Sequence, residues 1–189
     1  MTEREIREAL IERLKNQNKC PRTRVEEELC LRQGAARIDV AVVNGILQGY
    51  EIKSSKDTLE RLPAQMEVYN QVFDYVTLVV DGAHLDKAMD LIPSWWGIYV
   101  PRKRGGQIQF SVVRNRERNL IGVEAKALAE FLWKDEALEV LAERGLDRGF
   151  RSKPKHVLWE KISEELSVSE LGSVVRETLK SRTDWRVVA

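Results

Sequence analysis

Cysteine and histidine are scarce in this chain, which has two of each. Cys20 and Cys30 are too few for a disulfide framework or a cysteine-based zinc site. We expect them to be buried free thiols, although a bridge between them stays open. His84 and His156 lie far apart and match neither an HExxH pattern nor a Cys/His ligand spacing. Zinc chemistry and a histidine-centred triad are therefore not expected, and any catalysis should depend on carboxylates, lysine and a hard metal ion.

Long apolar runs and glycine-rich phosphate loops are also missing from the sequence. The longest apolar stretches, such as residues 75–80, have the length of a strand and not the ~20 residues of a membrane-spanning helix. Residues 1–5 alternate in charge and lack the apolar segment of a secretory signal. The sequence contains neither a Walker-type loop nor a GxGxxG motif, so it gives no sign of nucleotide hydrolysis. These features predict a soluble, cytoplasmic protein without a membrane partner.

The composition is that of a globular protein, with 189 residues of which 43% are hydrophobic and 32% charged. A net charge of +1 hides an asymmetry, because residues 1–100 carry 13 basic and 16 acidic side chains while residues 101–189 carry 18 and 14. The basic side chains of the second half concentrate in two stretches: Arg102, Lys103, Arg104, Arg114, Arg116 and Arg118, and then Arg144, Arg148, Arg151, Lys153 and Lys155. Basic clusters of this kind bind phosphate in some proteins and are solvated surface in most.

Hydrophobic spacing predicts an α/β fold. We expect a helix over residues 2–15 and a helix that begins at residue 57 or at Pro63, followed by a short helix ending near residue 92. Further helices are expected over residues 124–144, 156–166 and 169–180. Asn44-Gly45 is a strong hairpin signal. Strands are predicted over residues 24–31, 37–43, 46–53, 75–80, 96–100 and 107–113.

These elements predict two regions. Residues 1–122 should form a mixed β-sheet core flanked by helices, and residues 123–189 a C-terminal helical extension packed on that core. Residues 167–170 have the S-x-x-E spacing of a capping box between the last two helices. A helix-turn-helix made by these two helices is the alternative. The stretch from residue 145 to residue 155 is the best candidate for a linker.

One group of polar residues stands out on the predicted hairpin. Glu51 and Lys53 should lie on one face of their strand because strand side chains alternate. The hairpin can place Asp39 beside Glu51, and two adjacent carboxylates repel unless a cation lies between them. Mg²⁺ is the natural cation for such oxygens. A salt bridge on a solvated sheet face is the structural alternative.

The order Asp39, Glu51-x-Lys53 and then Gln65-x-x-x-Tyr69 resembles the PD-(D/E)xK nuclease superfamily, and the QxxxY element resembles its RecB-type members. No proline precedes Asp39, where Ile38 stands instead. The similarity also extends, without an assigned role, to residues 158–160 and to Trp185 and Arg186. This resemblance implies a restriction-endonuclease-like fold with a mixed four-stranded core sheet and a crossover helix after the Glu51-x-Lys53 strand.

The resemblance further implies roles for particular residues. Asp39 and Glu51 would hold Mg²⁺ or Mn²⁺ together with the backbone carbonyl of Ile52. Lys53 would position the attacking water, and Gln65 and Tyr69 would contact Lys53 or the substrate. An additional acidic ligand would correspond to Glu28, with Glu26 and Glu27 as alternatives.

The resulting hypothesis is a Mg²⁺- or Mn²⁺-dependent nuclease that hydrolyses phosphodiester bonds, with DNA favoured as its partner and the basic stretches gripping phosphates. Two alternatives remain. One is a catalytically silent nucleic-acid-binding or adaptor module on the same scaffold, and the other is a ribonuclease. The oligomeric state is left open, with a homodimer among the alternatives.

Overall fold

A computed structural model describes residues 1–120 and 122–183 of the chain. Trp185 and Arg186, noted in the sequence, lie outside the described residues. The helices are α1 (Glu3–Gln17), α2 (Leu62–Asn70), α3 (Leu85–Leu91), α4 (Ala125–Ala129), α5 (Lys134–Ala142), α6 (Lys155–Glu165) and α7 (Val168–Ser181). The strands are β1 (Arg24–Leu31), β2 (Ala36–Val43), β3 (Leu47–Lys53), β4 (Tyr75–Val80), β5 (Gly97–Arg104) and β6 (Gln107–Arg114).

The strands form one mixed sheet in the order β1-β2-β3-β4-β5-β6. β1, β2 and β3 pair antiparallel, β3, β4 and β5 pair parallel, and β6 pairs antiparallel with β5. α2 and α3 make the two crossovers that parallel neighbours require. The predicted mixed sheet flanked by helices is confirmed, with six strands in place of the four that the resemblance implied.

Helices cover both faces of the sheet. α1 buries Ile6, Leu10 and Leu14 against one face, in a cluster that includes Tyr50 and Val79. The side chain of Thr2 and that of Glu5 form a capping box that fixes the start of this helix. The opposite face packs against α2, α3 and the C-terminal helices in one larger cluster. The site described below lies at one end of β3, between these layers.

The C-terminal helices pack on the sheet. Leu171, Val175 and Leu179 of α7 belong to the same buried cluster as Val43 and Leu47. The predicted capping box is present, since Ser167 and Glu170 bond reciprocally at the start of α7. The C-terminal helices that we expected are therefore present.

The prediction of one long helix over residues 124–144 is wrong. The chain forms α4 and α5 instead, and Trp133 between them has an extended backbone. The Glu136 carboxylate accepts the Trp133 N–H at 2.7 Å. The Trp159 indole N–H donates to the Leu132 carbonyl at 2.9 Å. A nearby carboxylate and a distant indole therefore compensate for the backbone bonds lost at the break.

Two smaller expectations are also settled. α2 begins at Leu62 with Pro63 in its first turn, where a missing N–H costs nothing, so the later of the two predicted starts is correct. Both cysteines are free, as expected, but they are not buried: Cys20 is exposed and Cys30 is half-buried. Among the described residues, no helix has the length and apolar character needed to cross a membrane.

Candidate functional site

The strands β2 and β3 separate at Asp39. Their pairing runs from Val43 opposite Leu47 to Val40 opposite Tyr50. One step beyond, Asp39 Oδ2 accepts the backbone N–H of Ile52 at 2.7 Å. Ile38 and Val40 belong to clusters on opposite faces of the sheet, although residues two apart in a strand normally share a face. Asp39 thus lies at a break in the alternation of β2, and its carboxylate takes the place of a backbone partner.

Glu51 lies beside this break and is buried, with 2% of its surface exposed. Its Oε1 accepts hydrogen bonds from Lys53 Nζ and from Gln65 Nε2, each at 2.7 Å. Its Oε2 accepts the Tyr69 hydroxyl at 2.7 Å. Lys53 Nζ also donates to Gln65 Oε1 at 3.1 Å. The structure therefore brings together four of the predicted site residues in one network, because Gln65 and Tyr69 lie one turn apart on α2.

Burial and charge control the ionisation of the site. Burial, reinforced by the charge of Glu51, raises the pKa of Asp39 from 3.8 to about 7, against the opposing effects of the Ile52 N–H and of Arg7. Burial and the neighbouring Glu51 carboxylate also raise the pKa of Tyr69, so its hydroxyl remains a proton donor. A bound cation would lower the free-energy cost of ionising the second of these two buried carboxylates.

Two carboxylates and a backbone carbonyl are the kinds of donor that a hard divalent cation takes. Asp39 Oδ1 has Arg7 as its neighbour at 3.4 Å, whereas both Glu51 oxygens accept hydrogen bonds from the surrounding network. Magnesium is usually bound by one or two carboxylates and keeps several waters. Within residues 1–120 and 122–183, no group of three or more His, Cys, Asp or Glu side chains has the arrangement of a metal site. A cation here would therefore use the two carboxylates, with the Ile52 carbonyl as the third expected ligand.

Glu28 lies opposite Asp39 on β1, in the register set by Glu27 with Val40 and Leu29 with Ile38. Its φ of 52° is left-handed, which is unusual for a residue with a side chain. Its carboxylate contacts Arg7 Nη1 at 2.9 Å and Arg37 Nη1 at 3.3 Å. The Arg7 guanidinium thus bridges the carboxylates of Glu28 and Asp39.

Arg7 is the residue of this site that the sequence did not reveal. It follows Ile6 on the amphipathic helix α1, and its guanidinium contacts both Glu28 and Asp39. Charged residues flanking the apolar stripe of a helix are usually solvated, so the sequence carries no signal for this role.

The first basic stretch divides into two groups. Arg114 donates to the carbonyls of Trp96 and Pro93, and Arg116 lies between the rings of Tyr50 and Tyr75. Arg118 faces Asp74 at 3.5 Å. These three arginines have partners within the fold, although Arg118 is exposed. At the end of β5, Lys103 lies 4.0 Å from Glu5, and Arg102 and Arg104 are exposed.

A groove of ≈ 760 Å³ lies between the β1 edge of the sheet and the C-terminal helices. Its lining includes Arg7, Glu28 and Arg37 together with Lys134 and Lys155, and Arg7 also contacts Asp39. Lys155 also lies 5.0 Å from the centre of the Trp159 ring. Six cationic side chains line the groove against four acidic ones. The sequence did not predict this groove, because its walls come from β1 and from helices more than 90 residues later.

The chain was compared with known families, curated proteins and solved structures. The family described as Bacteriophage P4 protein cII matches residues 1–186. The chain belongs to this family. Protein cII of Enterobacteria phage P4 is 25% identical over 182 residues, which cover 96% of this chain and 68% of that protein. No solved structure matches the chain.

Membership of the P4 cII family corrects several expectations. The assignment to the PD-(D/E)xK nuclease superfamily is wrong, because the matching family and the matching curated protein are both cII. The predictions of a metal-dependent nuclease, of a hydrolase and of a deoxyribonuclease are therefore wrong as well. The physical reason is that D…ExK and QxxxY are short patterns that a polar hairpin and the following helix can share with unrelated sequences. The family match covers nearly the whole chain.

Proposed function

We propose that this cII-family chain binds nucleic acid along the groove between β1 and the C-terminal helices. The proposal extends to a divalent cation, Mg²⁺ or Mn²⁺, held by Asp39 and Glu51 beside Arg7, which lines that groove. It is a proposal of binding, with DNA favoured as the partner and the cytoplasm as the expected compartment.

The observation that carries this proposal is the excess of cationic side chains in the groove, six against four acidic ones. Lys134 and Lys155 are exposed and form no ion pair with any described residue, so both ammonium groups can contact an anion. Arg7 and Glu28 also line the groove, and Arg7 contacts Asp39. A polyanion held by the lysines could extend to this part of the lining, where a divalent cation would bridge phosphate and carboxylate.

The cation would supply positive charge beside the groove, where the carboxylates of Asp39 and Glu51 would otherwise repel phosphate. Lys53, Gln65 and Tyr69 orient Glu51 by the hydrogen bonds described above, and the Ile52 N–H orients Asp39. The protein therefore offers a preorganised pair of oxygen ligands, and these do not have to be ordered on binding.

Fluorescence anisotropy with labelled single-stranded DNA, double-stranded DNA and RNA tests the proposal, with Mn²⁺ or with EDTA, over a series of salt concentrations. Binding should weaken with salt because bound phosphates release counterions. The double variant K134A/K155A should lower the slope of log K against log salt by about 1.5 if both lysines contact phosphate. The matched control is K19A/K87A, which removes two exposed lysines outside the groove.

Three results would contradict the proposal. The first is the absence of binding to all three nucleic acids in the presence of Mn²⁺. The second is equal weakening by the two double variants, which would show a general charge effect in place of a groove. The third is identical binding in Mn²⁺ and EDTA, which would remove the cation from the proposal while leaving the groove.

A further inference from the structure

Arg7 is surrounded by carboxylates from three different elements. Its Nη1 contacts Glu28 Oε1 of β1 at 2.9 Å, and its Nη2 contacts Asp39 Oδ1 of β2 at 3.4 Å. Nη2 also donates to Glu3 on the same helix. The side chain is 18% exposed, and its Nε is buried without a hydrogen-bond acceptor among the described residues. A guanidinium thus occupies the space beside Asp39.

The three contacts of Arg7 are unequal. The contact with Glu28 has a hydrogen-bond length and Glu3 lies closer still, whereas the contact with Asp39 is at the outer limit for a hydrogen bond. Glu28 in turn is held by Arg37 at 3.3 Å. Arg7 can therefore lose its contact with Asp39 and still retain two carboxylate partners.

We propose that Arg7 is an internal counter-ion that competes with the divalent cation for Asp39. In the form described here its guanidinium supplies the positive charge beside Asp39. Uptake of the divalent ion replaces this contact and leaves Arg7 paired with Glu3 and Glu28. This inference rests on the cation site of the proposed function and adds its regulation: Arg7 lowers the affinity for divalent ions.

The geometry explains why the two cations exclude each other. Asp39 Oδ2 is already engaged by the Ile52 N–H at 2.7 Å, which leaves Oδ1 as the oxygen with room for a further cation. Arg7 contacts that same oxygen. Two positive groups at one oxygen repel strongly in a partly buried site, so binding of one disfavours the other.

The test measures Mn²⁺ binding to the full chain by isothermal titration calorimetry and by electron paramagnetic resonance of the free ion. The variant R7Q removes the charge and keeps a hydrogen-bonding side chain, and it should bind Mn²⁺ on the order of tenfold more tightly than the wild type. R4Q is the matched control, because Arg4 lies on the same helix and pairs with the exposed Glu8. R4Q should bind as the wild type does.

A second variant keeps the test decisive if R7Q does not fold. R7K retains the charge but offers a single ammonium in place of the fork that spans Glu28 and Asp39, so its Mn²⁺ affinity should exceed that of the wild type. The variant D39N should remove Mn²⁺ binding in every background.

The outcomes separate the inference from the proposed function. Tighter binding by R7Q or R7K, with R4Q unchanged, supports the competition. Equal or weaker binding by both Arg7 variants, with binding by the wild type that D39N removes, overturns the role of Arg7 and leaves the cation site. Absence of Mn²⁺ binding in the wild type and in both Arg7 variants overturns the cation site and the inference with it.

Discussion

The ring of Phe73 lies directly on the backbone of Gly49. A Cβ atom at position 49 would come within 2.9 Å of two ring carbons of Phe73, closer than side-chain atoms pack. This contact brings the segment after α2 onto β3 two residues before Glu51, and so helps to set the distance between α2 and the carboxylate that its side chains bond.

We therefore expect G49A to destabilise the fold by about 1–3 kcal/mol, because the added methyl group forces the Phe73 ring to move. Urea unfolding followed by circular dichroism measures the change. The matched control is G45A, since nothing lies within 4 Å of the Cβ position there. A free energy of unfolding that is equal in the two variants would contradict the packing described.

The hydroxyl of Tyr69 should stabilise the fold through Glu51. Y69F removes a 2.7 Å hydrogen bond to a buried carboxylate, and bonds to charged groups contribute about 1.5–3 kcal/mol. Urea unfolding should show a loss in that range. Y75F is the control, because the Tyr75 hydroxyl makes no hydrogen bond to any of the described residues. A loss below about 0.5 kcal/mol for Y69F would show that the bond contributes little.

The ion pair between Lys53 and Glu51 should be costly to break from one side. K53M leaves the Glu51 carboxylate buried without its cation, and losing one member of such a pair costs about 3–5 kcal/mol. The double variant K53M/E51Q should recover part of that loss, because the unpaired charge is gone. Equilibrium unfolding of the two single variants and of the double variant gives the coupling energy.

An exposed pair supplies the comparison. Lys126 and Glu160 are about half exposed, so K126M should change the free energy of unfolding by less than about 1 kcal/mol. An equal effect of K53M and K126M would show that burial does not strengthen the Lys53 pair.

The raised pKa of Asp39 predicts how stability depends on pH. The folded state holds the Asp39 proton more tightly than the unfolded state, with a pKa of about 7 against 3.8. The stabilisation from this proton is complete below pH 3.8 and is lost as the pH rises through about 7, at no more than about 1.4 kcal/mol per pH unit. In EDTA, the free energy of unfolding of D39N should therefore fall less between pH 5 and pH 8 than that of the wild type.

Unfolding in urea at several pH values checks this, and Mn²⁺ supplies a second condition. At pH 8 the ion should stabilise the wild type by mass action and leave D39N unchanged. Parallel pH profiles for the wild type and D39N in EDTA would contradict the raised pKa.

Several features of the fold follow from neighbouring residues alone. Alternating apolar residues predicted β1 over residues 24–31, a nearly continuous apolar run predicted the buried strand over residues 75–80, and the structure has both at these bounds. Asn44-Gly45 predicted the turn between β2 and β3, which the structure confirms. Gln65 and Tyr69 were expected on one face of a helix because they are four residues apart, and they meet at Glu51. Such features depend on backbone geometry within a few residues.

The incorrect predictions depended on distant contacts. The helix expected over residues 124–144 is interrupted because Trp159 and Arg182 bond to the carbonyls at the break. Arg114 and Arg116 were expected at phosphates, but the structure places them against Trp96 and between two tyrosine rings. No local pattern identifies such partners. The family assignment from a short motif was wrong for a related reason, since four or five polar residues do not distinguish families that share a hairpin and a helix.

The sequence by itself determined the strands, most of the helices and the polar character of the hairpin, since these depend on hydrogen bonds and side-chain periodicity between near neighbours. Only the tertiary structure decided that Arg7 contacts both Asp39 and Glu28 of β1, and that β1 and the C-terminal helices enclose a groove. These relationships depend on where separate elements cross in space, and that is set by the packing of the whole core.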